Sequence, residues 1–291
     1  MKSAKNPATT SAAHAEHPAP RVMKCMEIQG GSNAVEEPVS TPGLEGWIYS
    51  LPHQGAERGG DVHYLSLCGG GLFTRLIVAD VSGHGAKVAE FSAWLRTAMR
   101  RNINRKSQTG LVREINRQFS EMAQSRRFAT AVIATYLSSR RRLTLCNAGH
   151  PRPLWFHAGT GQWSIMTRED NGAGNLPLGI DDDASYHQFA VDLERGDIVA
   201  VYTDALSEAA SPDGRMLGEE GLLQLARGLE GDDPQELGKA LLARIGEHRG
   251  GLPSDDDVTL VVFFHTGSGP RRLSVAEKLD VLAKVFRLKP S

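Results

Sequence analysis

Four aspartates, Asp61, Asp80, Asp204 and Asp256, stand where apolar runs of strand length begin or end. A short loop at such a place can present a carboxylate above a rigid sheet. Asp61 follows Gly59 and Gly60. Asp80 closes Leu76-Ile77-Val78-Ala79 and leads into Val81-Ser82-Gly83-His84-Gly85. Asp204 closes the run from Val199 to Thr203, and Asp256 precedes Val258 to Val262. Taken singly, an Asp at a strand end is more often a turn former or a helix cap. Taken together, four carboxylates suit a hard divalent cation, because magnesium and manganese prefer oxygen ligands completed by water. No group of Cys and His with zinc-ligand spacing competes for that reading.

Other side chains near these positions carry chemistry less directly. His84 has the proton-donating capacity that a leaving alkoxide needs, against the plainer role of satisfying a Gly-rich turn at a helix start. Arg58 precedes Asp61 by three residues, and its forked guanidinium matches a phosphate. An exposed, solvated Arg is the slightly favoured alternative. The basic groups Arg100, Arg101, Arg105, Lys106 and Arg140 to Arg142 read as helix-end and turn charges, with docking of an acidic partner left open.

The elements that must position these residues follow from periodicity. Strand-length runs occur at Gly46 to Leu51, Val62 to Leu67, Leu72 to Val81, Ala131 to Leu137, Leu143 to Cys146, Ile198 to Tyr202 and Val258 to Phe264. Helical spacing predicts one stripe of Val88, Phe91, Trp94, Leu95, Ala98 and Met99, and a second of Leu111, Ile115, Phe119 and Met122. A third helix opens at Pro234 after Asp232 and Asp233 and carries Leu237, Leu241, Leu242 and Ile245. This order lacks strict strand-helix alternation, so antiparallel sheets covered by helices fit better than a doubly wound sheet.

The 291 residues, 40% of them hydrophobic, suffice for one sizeable core. Residues 1–42 combine Ala, Pro, Ser and Gly with few large apolar side chains, which predicts a flexible arm ahead of a domain over 43–266. Residues 267–291 read as a linker and an amphipathic helix with Val275, Leu279, Leu282 and Phe286, suited to binding an activator or a second copy. Thirty-three basic against thirty-four acidic residues leave a charge of −1, too little positive field for nucleic acid or anionic lipid. With no signal-peptide pattern and no membrane-length apolar stretch, a cytoplasmic protein is expected. Cys25, Cys68 and Cys146 read as reduced, buried thiols.

Six motifs in order, Gly59-Gly60-Asp61, Ala79 to Gly85, Asn147-Ala148-Gly149-His150-Pro151, Leu176-Pro177-Leu178-Gly179-Ile180, Tyr202-Thr203-Asp204 and Asp256-Asp257-Val258-Thr259, resemble the SpoIIE-type branch of the metal-dependent protein phosphatases, relatives of protein phosphatase 2C. The resemblance covers about Trp47 to Phe264. It implies an α+β fold, a four-layer α-β-β-α sandwich of two antiparallel sheets flanked by helices. It also implies two Mn2+ or Mg2+ ions held by Asp61, Asp80, Asp204, Asp256 and the main-chain carbonyl of Val81. The implied reaction is in-line attack of a metal-bound water on phosphoserine or phosphothreonine of a regulatory protein, an anti-sigma-factor antagonist by resemblance. Asn147 and His150, which recur together in that family, are expected to hold the loop after the Leu143 to Cys146 strand.

Two departures stand out. Ala205 follows Thr203-Asp204 where the family usually has Gly, and at positive φ it would strain the loop by roughly 1 kcal/mol. Ala79 replaces a common Gly before Asp80. Ala205 is the main support for a rival reading, a phosphatase fold without turnover that sequesters a regulatory partner. A metal-dependent nuclease is disfavoured by the near-zero charge and the lack of aromatic platforms in basic context.

Overall fold

Alternation along the strands sorts the apolar side chains into three buried layers, and this sorting fixes the architecture. The computed structural model of the chain describes residues 19–68, 71–82, 86–102, 107–123, 128–168 and 174–269. Its strands are β1 (Arg21–Val22), β2 (Ile28–Gly31), β3 (Val35–Thr41), β4 (Leu44–Leu51), β5 (Asp61–Cys68) and β6 (Phe73–Val81), then β7 (Ala129–Leu137), β8 (Arg142–Ala148), β9 (Leu154–His157), β10 (Gln162–Ile165), β11 (Phe189–Asp192), β12 (Ile198–Tyr202) and β13 (Val258–His265). The helices are α1 (Ala86–Arg101) and α2 (Gln108–Ala123) between β6 and β7, α3 (Asp204–Ser207) and α4 (Gly218–Ala226) after β12, and α5 (Pro234–His248) before β13.

A seven-stranded sheet runs β1-β3-β4-β13-β12-β9-β10, and a six-stranded sheet runs β11-β8-β7-β6-β5-β2. Pairing is antiparallel apart from β1 with β3 at one edge. Leu65, Leu76, Val78 and Val132 of the second sheet meet Ile48, Val199, Val201 and Val261 of the first in the layer between them. Their neighbours in sequence face outward. Tyr64, Ile77 and Ile133 pack with Phe91 and Leu95 of α1 and Ile115 and Phe119 of α2, while Trp47, Ala200 and Leu260 pack under Leu222, Leu237, Leu241 and Ile245 of α4 and α5. The four layers are therefore helix, sheet, sheet, helix, as the resemblance implies. Asp233 caps α5, its Oδ1 accepting from the backbone N–H of Gln235 at 2.8 Å and Glu236 at 3.3 Å.

The expected arm does not extend to residue 42. Residues 21–41 supply three strands, and their polar composition reflects edge positions with one face open to solvent, as in the burial pattern of β3. β2 also uses Gly30 at φ 126°, where a Cβ would lie 2.0 Å from the carbonyl oxygen of His63. Residues 1–18 and the Val275 to Phe286 stripe lie outside the described residues. Cys146 is buried, and burial raises its pKa to about 12; Cys25 is only half-buried, contrary to expectation, because it sits in an edge turn. Among the described residues no helix is long and apolar enough to cross a membrane.

Gly238 shows how tightly the outer layer closes. In a helix interior Gly→Ala gains about 1 kcal/mol of propensity, but here the added Cβ would fall 2.4 Å from the Trp47 ring, itself fully buried. Overpacking wins, so Gly238→Ala is expected to lower stability by about 1–3 kcal/mol, read from chemical denaturation. A stabilised variant would contradict this packing.

Candidate metal centre

The register of two strand pairs brings the acidic residues to one end of the sandwich. Asp61 opens β5 and Asp80 lies in the last turn of the β5–β6 ladder, so the two stand directly opposite each other. In the other sheet Tyr202 pairs with Leu260, which leaves Thr203 and Asp204 at the same end as Asp256 and Asp257. The ends of the two sheets are joined by a side-chain bond: Thr203 Oγ1 donates to Asp61 Oδ2 at 2.7 Å. Thr203 is itself fixed, its Oγ1 accepting from Thr259 N at 3.0 Å and its N–H donating to Thr259 O at 3.0 Å. Ser50 Oγ and Thr259 Oγ1, 3.0 Å apart, extend the polar chain to β4.

Asp61 is 3% exposed. Burial drives its pKa well above the usual carboxylate range, the Thr203 hydroxyl opposes the rise, and the charges of Asp80 and Asp257 add to it. Asp80 is half-buried and pushed up to about 7, first by desolvation and then by Asp204, Asp256, Asp257 and Glu208. Asp204 is raised by burial and by Glu208 and Asp256. Like charges facing one another across a ladder are destabilising in themselves. Asp256 is exposed.

Two acidic residues that the sequence did not single out belong to this end. Asp257 accepts from the backbone N–H of His53 at 2.6 Å through Oδ1 and from that of Gly60 through Oδ2. It explains the paired glycines: a Cβ on Gly59 would lie 2.5 Å from Asp257 Oδ1. The side chain of Asp257 thus holds the segment that delivers Asp61. Its place in a run of three acidic residues was the available signal, but a run cannot say which member turns inward. Glu208 stands one helical turn beyond Asp204 and adds to the charge on both Asp80 and Asp204.

Of the remaining predicted residues, Val81 is buried and its N–H donates to Gly60 O at 3.2 Å, which keeps its backbone beside the start of β5. Arg58 is exposed on the preceding loop. His84 lies outside the described residues. Ala205 sits inside α3 and is not among the residues of positive φ, so the condition for strain is not met. Its carbonyl accepts from Arg249 Nη2 at 2.5 Å, which anchors the loop to the end of α5. Asn147 does hold its loop, with Nδ2 donating to His150 O and Oδ1 accepting from His150 N, both at 2.8 Å. Leu178 pairs through both backbone groups with Ala129 at the start of β7, and buried Asn116 accepts from Gly179 N at 2.8 Å. The Leu176 to Ile180 motif is therefore strapped to the sheet that carries Asp80.

The donor set fits a hard cation in kind. Carboxylates stand together at one end of the fold, where burial and then their mutual charge raise the pKa of Asp61, Asp80 and Asp204. Among the described residues no three His, Cys, Asp or Glu side chains close on a common point. The carboxylates are near enough to repel and are not drawn together.

Two sheets between helical layers make this the fold of PP2C-type phosphatase domains. The chain belongs to the SpoIIE family: the family model described as Stage II sporulation protein E (SpoIIE) matches residues 73–265. That span holds Asp80, Asp204 and Asp256 and begins beyond Asp61. Phosphoserine phosphatase RsbU of Bacillus subtilis (strain 168) is 27% identical over 144 residues, covering 48% of this chain and 40% of RsbU. The match thus spans less than half of that curated relative. The crystal structure of the RsbU and RsbW domains of Rv1364c from Mycobacterium tuberculosis superposes with TM-score 0.67 at 23% identity, over 87% of this chain and 72% of that one. RsbX in complex with magnesium gives TM-score 0.58 at 17% identity, over 79% of this chain and 99% of that one.

The raised carboxylates set a pH dependence of the metal-free protein. Asp80 binds its proton more tightly folded than unfolded, so its contribution to stability is present below pH 3.8 and is lost as pH rises through about 7. His63 and His150, lowered to about 4 by burial, act oppositely below about pH 6.5. Asp80→Asn keeps both histidines, so the difference between the two proteins isolates the carboxylate. In chelator, the Tm of the Asn variant is expected to gain on that of wild type between pH 4 and 7 and to hold steady above. A pH-independent difference would contradict the charge crowding at Asp80.

Proposed function

We propose that the chain is a metal-dependent protein serine/threonine phosphatase that hydrolyses phosphoserine or phosphothreonine on a regulatory protein, with an anti-sigma-factor antagonist as substrate. The observation that carries this reading is the buried Asp61, held across the sheets by Thr203 at 2.7 Å and facing an Asp80 whose proton affinity is raised by burial and then by four other carboxylates. Such a set is unfavourable unless positive charge joins it. Two Mn2+ or Mg2+ ions, held by Asp61, Asp80, Asp204, Asp256 and the Val81 carbonyl, would supply a water of lowered pKa and neutralise the phosphoryl oxygens.

The chain's own residues contribute position and electrostatics. Thr203, itself held by Thr259, fixes the Asp61 carboxylate through its hydroxyl. Asp257 holds the glycine segment ahead of it, and Arg249 anchors the Asp204 loop through the Ala205 carbonyl. Asp256, exposed at the rim, completes the acidic set from the solvent side. Arg58, on the loop before Asp61, is assigned the substrate phosphate, and His84 the leaving-group proton. The named activity of RsbU and the pairing of RsbU and RsbW domains in Rv1364c support the substrate class. The sequestering module loses its particular support, because Ala205 stands in a helical turn.

The test is release of inorganic phosphate from a phosphoserine protein with Mn2+ added. Asp80→Asn is expected to lower kcat by about 10³-fold, the order of the charge stabilisation that a bound metal supplies. Turnover that survives chelation, or an Asn variant as active as wild type, would overturn the assignment.

A further inference from the structure

Asp61 and Asp80 ride on one sheet, while Asp204 and Asp256 flank strands of the other. Their spacing therefore depends on what joins the sheets at this end. The chain itself crosses here, leaving β8 at Ala148 in one sheet and entering β9 at Leu154 in the other. His150 lies on the crossing. The backbone of the turn is complete without its ring: Asn147 closes the loop with two bonds, and Gly149 takes φ +69°, where a Cβ would meet Pro177 at 2.6 Å.

A ring with nothing further to do would face solvent, yet His150 is 5% exposed. Its Nδ1 lies 2.8 Å from Thr130 Oγ1, and Thr130 is the residue paired with Asp80 in the β6–β7 ladder. Beyond His150 the chain enters β9, whose Leu154 pairs with Ala200 of β12, the strand that ends at Tyr202. Tyr202 immediately precedes Thr203 and Asp204. Nε2 is buried and has no partner at hydrogen-bonding geometry, so the contact with Thr130 is what orients the ring.

We propose that His150 is a positioning residue, an imidazole strut that pins the crossing between the sheets to Thr130 beside Asp80, and so sets the separation of the two halves of the acidic site and its affinity for a divalent cation. The inference rests on the metal-centre reading. It goes beyond loop closure, which Asn147 accomplishes alone.

The experiment is calorimetric titration of Mn2+ into the chelator-stripped full chain, with Tm measured in the presence and absence of Mn2+. His150→Ala is expected to weaken Mn2+ binding about 10-fold or more, the usual effect of losing a group that orients metal ligands. It should also shrink the rise in Tm that Mn2+ produces. His150→Gln, whose amide can still bond the Thr130 hydroxyl, should recover most of the affinity. Should the Ala variant not fold, Thr130→Val carries the test, removing one contact of the strut at nearly constant volume, with the same expected direction. Folded variants with wild-type Mn2+ affinity and an unchanged Mn2+-dependent Tm rise would overturn the strut. A wild-type chain that binds no Mn2+ would overturn the metal-centre reading and this inference with it.

Discussion

The hydrogen bond from Thr203 to the buried carboxyl of Asp61 is the interaction on which the site depends. It links the two sheets at 2.7 Å where both have run out of ladder partners. A buried carboxylate is tolerated only when hydrogen-bonded or paired, and Asp61 has its donor on the opposite sheet. The bond therefore does two things at once. It satisfies a polar group that would otherwise resist burial, and it fixes the distance between the strand ends that carry the remaining carboxylates. The apolar layer of Val78, Val201 and Val261 can hold the sheets together, but it has no directional preference to set that distance.

Most of the frame was legible in the sequence because its central strands bury both faces. β4 to β8, β12 and β13 read as apolar runs bounded by Gly, Asp or Asn, and α1, α2 and α5 as one-sided stripes. The strands β1 to β3, at or next to the sheet edges, did not read as strands, since half their side chains face water and Glu36, Glu37 and Pro38 break the apolar pattern. β9, β10 and β11 have four residues each, too few for a period to register. α3 is a single turn whose helical character rests on the Glu208 N–H to Asp204 O bond rather than on any stripe.

The site was legible in its carboxylates and illegible in what holds them. Asp61, Asp80, Asp204 and Asp256 stood out through their motif contexts, whereas the roles of Thr203, Thr259 and Asp257 depend on cross-strand register that no local spacing encodes. In the sequence Gly59 signals backbone freedom ahead of Asp61. Its need for a missing side chain comes instead from the approach of the Asp257 carboxylate to 2.5 Å of where a Cβ would be. Ala205 was read as a source of strain on a condition, positive φ, that the helical turn does not impose; Ala is the residue best suited to such a turn.

The same charge distribution orders the events of the proposed reaction. The chain as a whole is nearly neutral, yet Asp80, Asp204, Asp256, Asp257 and Glu208 gather at one end of the sandwich. A phosphorylated serine carries about −1.5 to −2 charge at neutral pH, so the bare mouth repels the group it is proposed to cleave. Attraction begins only when the sign of the mouth is reversed: among the described residues Arg249 is committed to the Ala205 carbonyl and Arg152 to Glu219, and Arg58, on the loop before Asp61, does not by itself outweigh the acidic set. Cation binding must then come before phosphoprotein binding. A sheet-borne frame keeps the carboxylates from scattering in the meantime, and the Asp61–Thr203 bond sets how far apart they wait.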